Sequence, residues 1–177
     1  GNTGSINDAS FVKFNFVPFT DNFSFNFIFA SNEYGTYQCT FGDVFAFILT
    51  DLTTGVSQNL AVIPNTSTPV SVTTIRDQAF NSPGDTCLSA NPTFFDVYSP
   101  IVTPASSSVM NMVGYTIPMT ASATVIPNRN YSIKLAIGDY GPFGADNVYD
   151  SAVFIEGGSF NVGLADLTYP IGLGDCY

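Results

Sequence analysis

A chain of 177 residues with seventeen Phe, nine Tyr, no Trp and no His is long enough to bury about two-thirds of its unfolded surface as one domain. Its net charge of −10, from fourteen acidic and four basic residues, excludes the clustered Lys and Arg that nucleic-acid phosphates or anionic lipid require. Without histidine the commonest general base is missing, and no Ser-His-Asp or Cys-His arrangement can form within the chain, so no enzyme is expected.

The opening Gly1-Asn2-Thr3-Gly4 reads as a loop, which suits a mature or excised piece of a longer product. Phe14 and Phe16 mark a short strand, and Pro18 to Asn22 a turn. Phe23, Phe25, Phe27 and Phe29 then share one face, with Ser24 and Asn26 opposite. That period of two predicts a half-buried strand. Ser31 to Gly42 is a polar, glycine-containing loop carrying Cys39. Val44 to Leu49 is apolar at successive positions, predicting a central strand covered on both faces. Asp51 to Gly55 predicts a hairpin turn. Leu60 to Ile63 and Val70 to Ile75 read as short strands between Pro64 and Pro69. From Asp77 to about Ser108 no periodicity survives. Stretches of that length in a compact domain are usually functional or pinned. Alternation resumes at Tyr115, Ile117 and Met119, and again at Tyr131, Ile133, Leu135 and Ile137. Gly138 to Asn147 is an acidic, glycine-rich loop, and Ala152 to Ile155 and Phe160 to Leu164 complete the set.

The fold class expected is all-β, a two-sheet antiparallel β-sandwich, jelly-roll-like, with long irregular loops. One domain covers residues 1–168, and 169–177 reads as a C-terminal tail or the start of a linker. No run is long and apolar enough for a transmembrane helix, and no secretory signal is present. Three cysteines, Cys39, Cys87 and Cys176, lack metal-type spacing, and the Ser/Thr/Asn-rich composition favours an oxidising compartment. Cys39–Cys87 is the preferred pair. It would pin the patternless stretch to the earlier loop and contribute about 3–4 kcal/mol. Cys176 then either pairs beyond this chain or remains a free thiol.

Two blocks carry more than composition. The first is Phe25-Asn26-Phe27-Ile28-Phe29-Ala30-Ser31-Asn32-Glu33-Tyr34 with Phe41-Gly42-Asp43-Val44-Phe45-Ala46-Phe47. The second is Tyr131-Ser132-Ile133-Lys134-Leu135-Ala136-Ile137-Gly138-Asp139 with Tyr149-Asp150-Ser151-Ala152-Val153-Phe154-Ile155-Glu156-Gly157-Gly158-Ser159-Phe160. Together with Gly114-Tyr115-Thr116-Ile117-Pro118-Met119-Thr120 they resemble the choice-of-anchor L domain, a family of bacterial surface modules, over residues 8–160. Asn32 and Gly42 depart from that pattern, which has Glu and Asn there. The resemblance implies a cell-surface or secreted module of a longer chain and no catalytic activity.

Glu33, Asp43, Asp139, Asp146 and Asp150 fall at strand ends or in glycine-rich loops. If the two blocks are neighbouring strands, these carboxylates meet at one end of the sandwich. Calcium, which accepts six to eight oxygens from irregular loops, is the cation that would suit them; the competing reading is local capping of turns and amides. Tyr34, Tyr37, Tyr98, Tyr140, Phe143 and Tyr149 lie in loop-like stretches, where exposed rings could stack on sugars, although aromatics normally cover hydrophobic seams. Glu33 and Glu156 are nominal partners for two-carboxylate glycoside hydrolysis, but both are accounted for as strand-end residues. The function expected is a non-catalytic extracellular adhesion or recognition module, stabilised by calcium, whose partner is a surface glycan or protein. The alternatives are a self-assembling filament or surface-layer subunit, which an exposed strand edge would serve, and a dedicated carbohydrate-binding module.

Overall fold

A computed structural model describes residues 5–100, 110–141 and 149–163, with backbone only for residues 5–8 and 141. Nine strands form two antiparallel sheets: β1 (Ser5–Phe16), β2 (Asn22–Ser31), β3 (Val44–Asp51), β4 (Ser57–Asn59), β5 (Phe95–Tyr98), β6 (Gly114–Thr116), β7 (Met119–Thr124), β8 (Tyr131–Gly141) and β9 (Ser151–Ile155). The first sheet has the order β1-β8-β3-β4. In the second, β2 pairs with β6 and β7 as well as with β9, and β5 lies outside β6. The protein is an all-β sandwich. Among the described residues, helix is limited to two short 3-10 turns, Gln78–Phe80 and Pro92–Phe94.

The phenylalanine ladder of β2 is the centre of the core. Phe23, Phe25, Phe27 and Phe29 are all buried, because the pleat turns every second side chain to one face. They meet the opposite sheet ring to ring. Phe25 and Phe27 lie 5.0 and 4.9 Å from Phe47, and Phe29 stacks on Phe45 at 5.0 Å. Phe16 of β1 stacks between Phe23 and Tyr131. Edge-to-face and offset pairs of this kind add about 0.5–1.5 kcal/mol each beyond the area they bury.

Several sequence expectations need correction. Strand β3 is central in its sheet, but its burial alternates: Phe45, Phe47 and Leu49 are buried while Val44 is exposed and Ala46 and Ile48 are half-buried. Small or β-branched outward residues had made a one-faced strand look two-faced. Leu60 to Ile63 and Val70 to Ile75 are not strands. They meet at the bridge Val62–Pro69, where the Val70 amide donates to the Ala61 carbonyl at 3.1 Å, and the pairing extends no further, since Pro64 and Pro69 donate no amide to a ladder. Their side chains nevertheless close one flank of the core, with Leu60, Ile63, Val70, Val72 and Ile75 buried. The patternless stretch contains a strand, β5. The run Tyr115–Met119 breaks at Ile117-Pro118 into β6 and β7, and the buried members of β6 are Gly114 and Thr116, while Tyr115 is half-exposed. Thr116 Oγ1 accepts the Phe29 amide at 3.1 Å, filling the gap in the ladder. The stretch taken as a loop from Gly138 remains strand to Gly141. Around Phe160 there is no strand, only a bridge from Asn161 to Ser24. Asp146, Phe143, Cys176 and the tail 169–177 lie outside the described residues.

Candidate functional site

The two sequence blocks meet at one pole, where β2 ends and β3 begins. Ser31 pairs with Ser151 at the end of β2, and Val44 pairs with Gly138 at the start of β3. The loop between them, residues 32–43, is a buried, hydrogen-bonded structure rather than a solvated polar connection. Ser31 Oγ accepts the Glu33 amide at 3.0 Å, and the Asn32 amide donates to the Asp150 carbonyl at 3.0 Å. Asn32 Oδ1 accepts the Val113 amide at 3.1 Å, and the amides of Tyr37 and Phe41 donate one turn back to Glu33 and Tyr37.

Gly35 is required in this loop. Its φ of +80° lies in the left-handed region, and a Cβ there would fall against the Tyr98 hydroxyl. Gln38, fully buried, donates from Nε2 to the Asp77 carbonyl at 2.9 Å and to Asn81 Oδ1 at 2.6 Å. Asn81 Nδ2 in turn donates to the Cys87 carbonyl at 2.9 Å. The disulfide Cys39–Cys87 forms beside these bonds and fastens the loop to the stretch that lacked any sequence pattern. Of the organisers of this pole, Asn32 was noted only as a departure from the family pattern, and Gln38 and Asn81 were not singled out by the sequence. The available signal was a run of amide side chains flanking the two cysteines.

Glu33 and Asp43 are both fully buried. Glu33 Oε2 accepts the Asp43 amide at 3.1 Å, and Asp43 Oδ1 accepts the Tyr140 amide at 3.4 Å. These bonds tie the loop to the first residues of β3 and to the end of β8. Asp139 is half-buried and precedes Tyr140 in β8, and Asp150 is exposed just before the start of β9. The fold therefore gathers Glu33, Asp43, Asp139 and Asp150 at one pole. Among the described residues, no three Asp, Glu, Cys or His side chains group closely enough to hold a metal ion. Glu156 is elsewhere: it accepts from Asn26 Nδ2 at 2.7 Å, midway along β2.

Of the candidate ligand aromatics, Tyr34 is corrected to a core residue. It is 1% exposed, packed on Phe29 and Phe95, with Gly114 so close that a Cβ there would lie 2.7 Å from its ring. Burial, and then the charge of Glu33, hold its hydroxyl well above the usual phenol range. Tyr98 of β5 is half-buried and stacks on Phe80 at 4.6 Å. Tyr37 and Tyr149 are half-buried and pack on each other at 4.7 Å, with Phe41 edge-on to Tyr37. Tyr140 is also half-buried, next to Asp43.

The family model for the choice-of-anchor L domain matches residues 1–161, nearly all of the region just described. The chain belongs to the choice-of-anchor L domain family. Membership marks it as a bacterial cell-surface module. No curated protein and no solved structure matches the chain. None of the helices among the described residues is long and apolar enough to cross a membrane.

Proposed function

We propose that this choice-of-anchor L domain is a non-catalytic extracellular adhesion or recognition module, and that its contact surface is the pole built by residues 32–43, Tyr140 and Tyr149. The supporting observation is that this loop is fixed in advance. A disulfide, the Gln38–Asn81 bonds and the two buried carboxylates hold it against three different parts of the chain. A loop already ordered loses little further entropy when it binds, which is how rigid scaffolds present recognition residues. Tyr37, Tyr140 and Tyr149 give the pole partly exposed rings, suited to stacking on a sugar or to an aromatic protein contact. The test is binding of the domain to a glycan array and to intact bacterial cells. Tyr37→Ala and Tyr149→Ala are expected to abolish binding while the fold persists. Binding by neither probe, or equal binding by both variants, would overturn the assignment.

Calcium is part of this proposal. Two neighbouring buried carboxylates are costly to ionise together, and a cation offsets that cost. Calcium accepts backbone carbonyls as readily as carboxylates, so Glu33 and Asp43 need not be joined by a third acidic side chain. At about a hundred times Kd, binding to the native state adds about 2.7 kcal/mol, or about 5–10 °C for a domain of this size. Melting in millimolar calcium and in chelator measures this, and Glu33→Gln should remove the difference. A shift below about 1 °C would count against the ion.

A second reading, a self-assembling filament or surface-layer subunit, is supported by the β1 edge. Among the described residues β1 pairs only with β8, and Phe11 is 62% exposed on it. Unpaired apolar edges of this kind template further strands. Scattering across a concentration series distinguishes the two, since a monomer at every concentration would exclude assembly.

A further inference from the structure

The outer face of the second sheet changes from polar to apolar along its strands, and the change falls within one pocket. Along β2 the residues turned away from the core are Asn22, Ser24, Asn26 and Ile28, because the buried phenylalanines take the alternate positions. Thr124, Ser122 and Thr120 of β7 lie opposite Asn22, Ser24 and Asn26, so this part of the face carries short, neutral polar groups. On the other side of β2, Phe154 lies opposite Ile28, and the Glu156 amide donates to the Asn26 carbonyl at 3.0 Å. Thr120, Asn26 and Glu156 therefore form one row across three strands, and Ile28 and Phe154 belong to the next. Asn26, Ile28, Pro118, Phe154 and Glu156 line a pocket of about 360 Å³ where the two rows adjoin. Phe154 is 44% exposed.

The polar row is fixed by its own bonds. The Thr120 hydroxyl donates to Asn26 Oδ1 at 2.8 Å, and Asn26 Nδ2 donates to Glu156 Oε2 at 2.7 Å. The turn after Glu156 is tied to the same strand: the Ser159 hydroxyl accepts the Asn26 amide at 3.0 Å and donates to the Glu156 carbonyl at 2.8 Å. Among the described residues these bonds engage one oxygen of the carboxylate and one hydrogen of Asn26 Nδ2, and each group has a second. Concave sites with an apolar wall and a few placed polar groups are where small ligands bind, and fixing those groups beforehand lowers the entropy lost on binding.

We propose that this pocket binds a neutral pyranose sugar, with the C–H face of the ring against Phe154 and adjacent hydroxyls on Glu156 and Asn26. A pyranose is divided as the pocket is. Its C–H groups make an apolar face, suited to the negative face of an aromatic ring, and hydroxyls that both donate and accept surround it. The two rows are two residues apart along the strand, about 7 Å, so one ring reaches both. The net charge of −10 favours a cation beside a carboxylate. Here, however, an N–H donor flanks the carboxylate, which suits a hydroxyl and disfavours a cation. The site is separate from the loop pole: Asn26 to Ser31 along β2 is about 17 Å at the rise of a strand. It does not depend on what that pole recognises.

Amide NMR of the isotope-labelled full chain, titrated with the methyl glycosides of glucose, galactose, mannose and N-acetylglucosamine, tests it. At least one should move the amides of 26–28 and 154–156 and the Asn26 side-chain amide together, with a single dissociation constant on the order of millimolar. Binding that weak does not survive the washing of a glycan array, so it leaves the test of the loop pole undisturbed. Phe154→Ala and Glu156→Gln, both at exposed positions, should each weaken binding at least about fivefold. Tyr37→Ala should not change it, which separates failure here from failure at the pole. No movement of these amides with any of the four glycosides at about 100 mM, far above the expected constant, would overturn the proposal. So would a response that both substitutions leave intact. A response to n-butylguanidinium in place of the sugars would overturn it too, showing that carboxylate and ring receive an arginine side chain.

Discussion

Replacing Cys39 and Cys87 together by Ser isolates the contribution of the bond that fixes the loop pole. The two positions are 48 residues apart, and the chain-entropy relation for a loop of that size gives about 4 kcal/mol. The folded state should lose little of its own. Both sulfurs lie within 3.6 Å of Asn81 Oδ1, so serine hydroxyls at these sites have an acceptor in reach. The Gln38 bonds to Asp77 and Asn81 also remain. The effect therefore resides in the denatured chain, which gains freedom when the cross-link is removed. For a domain of this size about 4 kcal/mol corresponds to a fall in Tm of roughly 8–16 °C. Urea melts of the oxidised and double-serine proteins should show a lower midpoint and a steeper slope, because the uncrosslinked chain exposes more surface on unfolding. Reductant added to the parent protein should reproduce the shift. A difference below about 1 kcal/mol, with non-reducing mass spectrometry confirming the bond, would refute the entropic account and show that the loop ends are already close in the denatured state.

Three further outcomes follow from single side chains. The Tyr34 hydroxyl is buried without a hydrogen-bond partner among the described residues, so Tyr34→Phe should leave stability unchanged or raise it by about 1 kcal/mol in a urea melt. Because its folded pKa is raised, the parent protein should lose stability as pH climbs above the ordinary phenol value of about 10; the Phe variant should lose less, as alkaline melts would show. At the β3–β4 hairpin, burial raises the pKa of Asp51, but the Arg129 guanidinium and the amides of Thr53 and Thr54 outweigh it and hold the carboxyl at about 2. Its folded pKa is depressed, so its contribution is present above the unfolded value near 4 and lost as pH falls toward 2. Asp51→Asn should flatten the acid limb of the stability curve in that window alone. Gly114→Ala places a methyl group 2.7 Å from the Tyr34 ring and should cost about 1–3 kcal/mol, whereas Gly157→Ala, with open space around it, should leave the melt within about 0.5 kcal/mol.

What could be read from the sequence was set by period and by chemistry of known geometry. The Phe23–Phe29 alternation named the central strand and its buried face, and the Tyr131–Ile137 alternation named its counterpart across the core. The pairing of Cys39 with Cys87 was legible because only three cysteines existed. Elements without period were not. Leu60, Ile63, Val70 and Val72 are as buried as any strand residue, but prolines deny them a ladder, and hydrophobicity alone cannot separate a strand from a covering loop. Strand β5 was hidden because its register with β6 shifts between Phe95 and Val97, which scrambles alternation.

The loop pole was the least legible part, and for one physical reason. A polar loop can be buried only if its backbone groups are satisfied from elsewhere in the chain, and the residues that do this are long-range. Asn32 serves Val113, Gln38 serves Asp77 and Asn81, and Asp43 serves Tyr140. Local sequence contains no trace of such partners. Carboxylates read as ligands in a solvated loop thus occupy two roles at once: Glu33 and Asp43 accept backbone amides as capping residues do, and they bury two carboxyl groups in the interior of one pole. Capping alone predicts that Glu33→Gln, which keeps an acceptor oxygen and removes a charge, is neutral or stabilising in chelator. A bound cation predicts that the same substitution destabilises in calcium. The sign of one variant in two buffers therefore separates a pole braced by its own backbone from one braced by an ion.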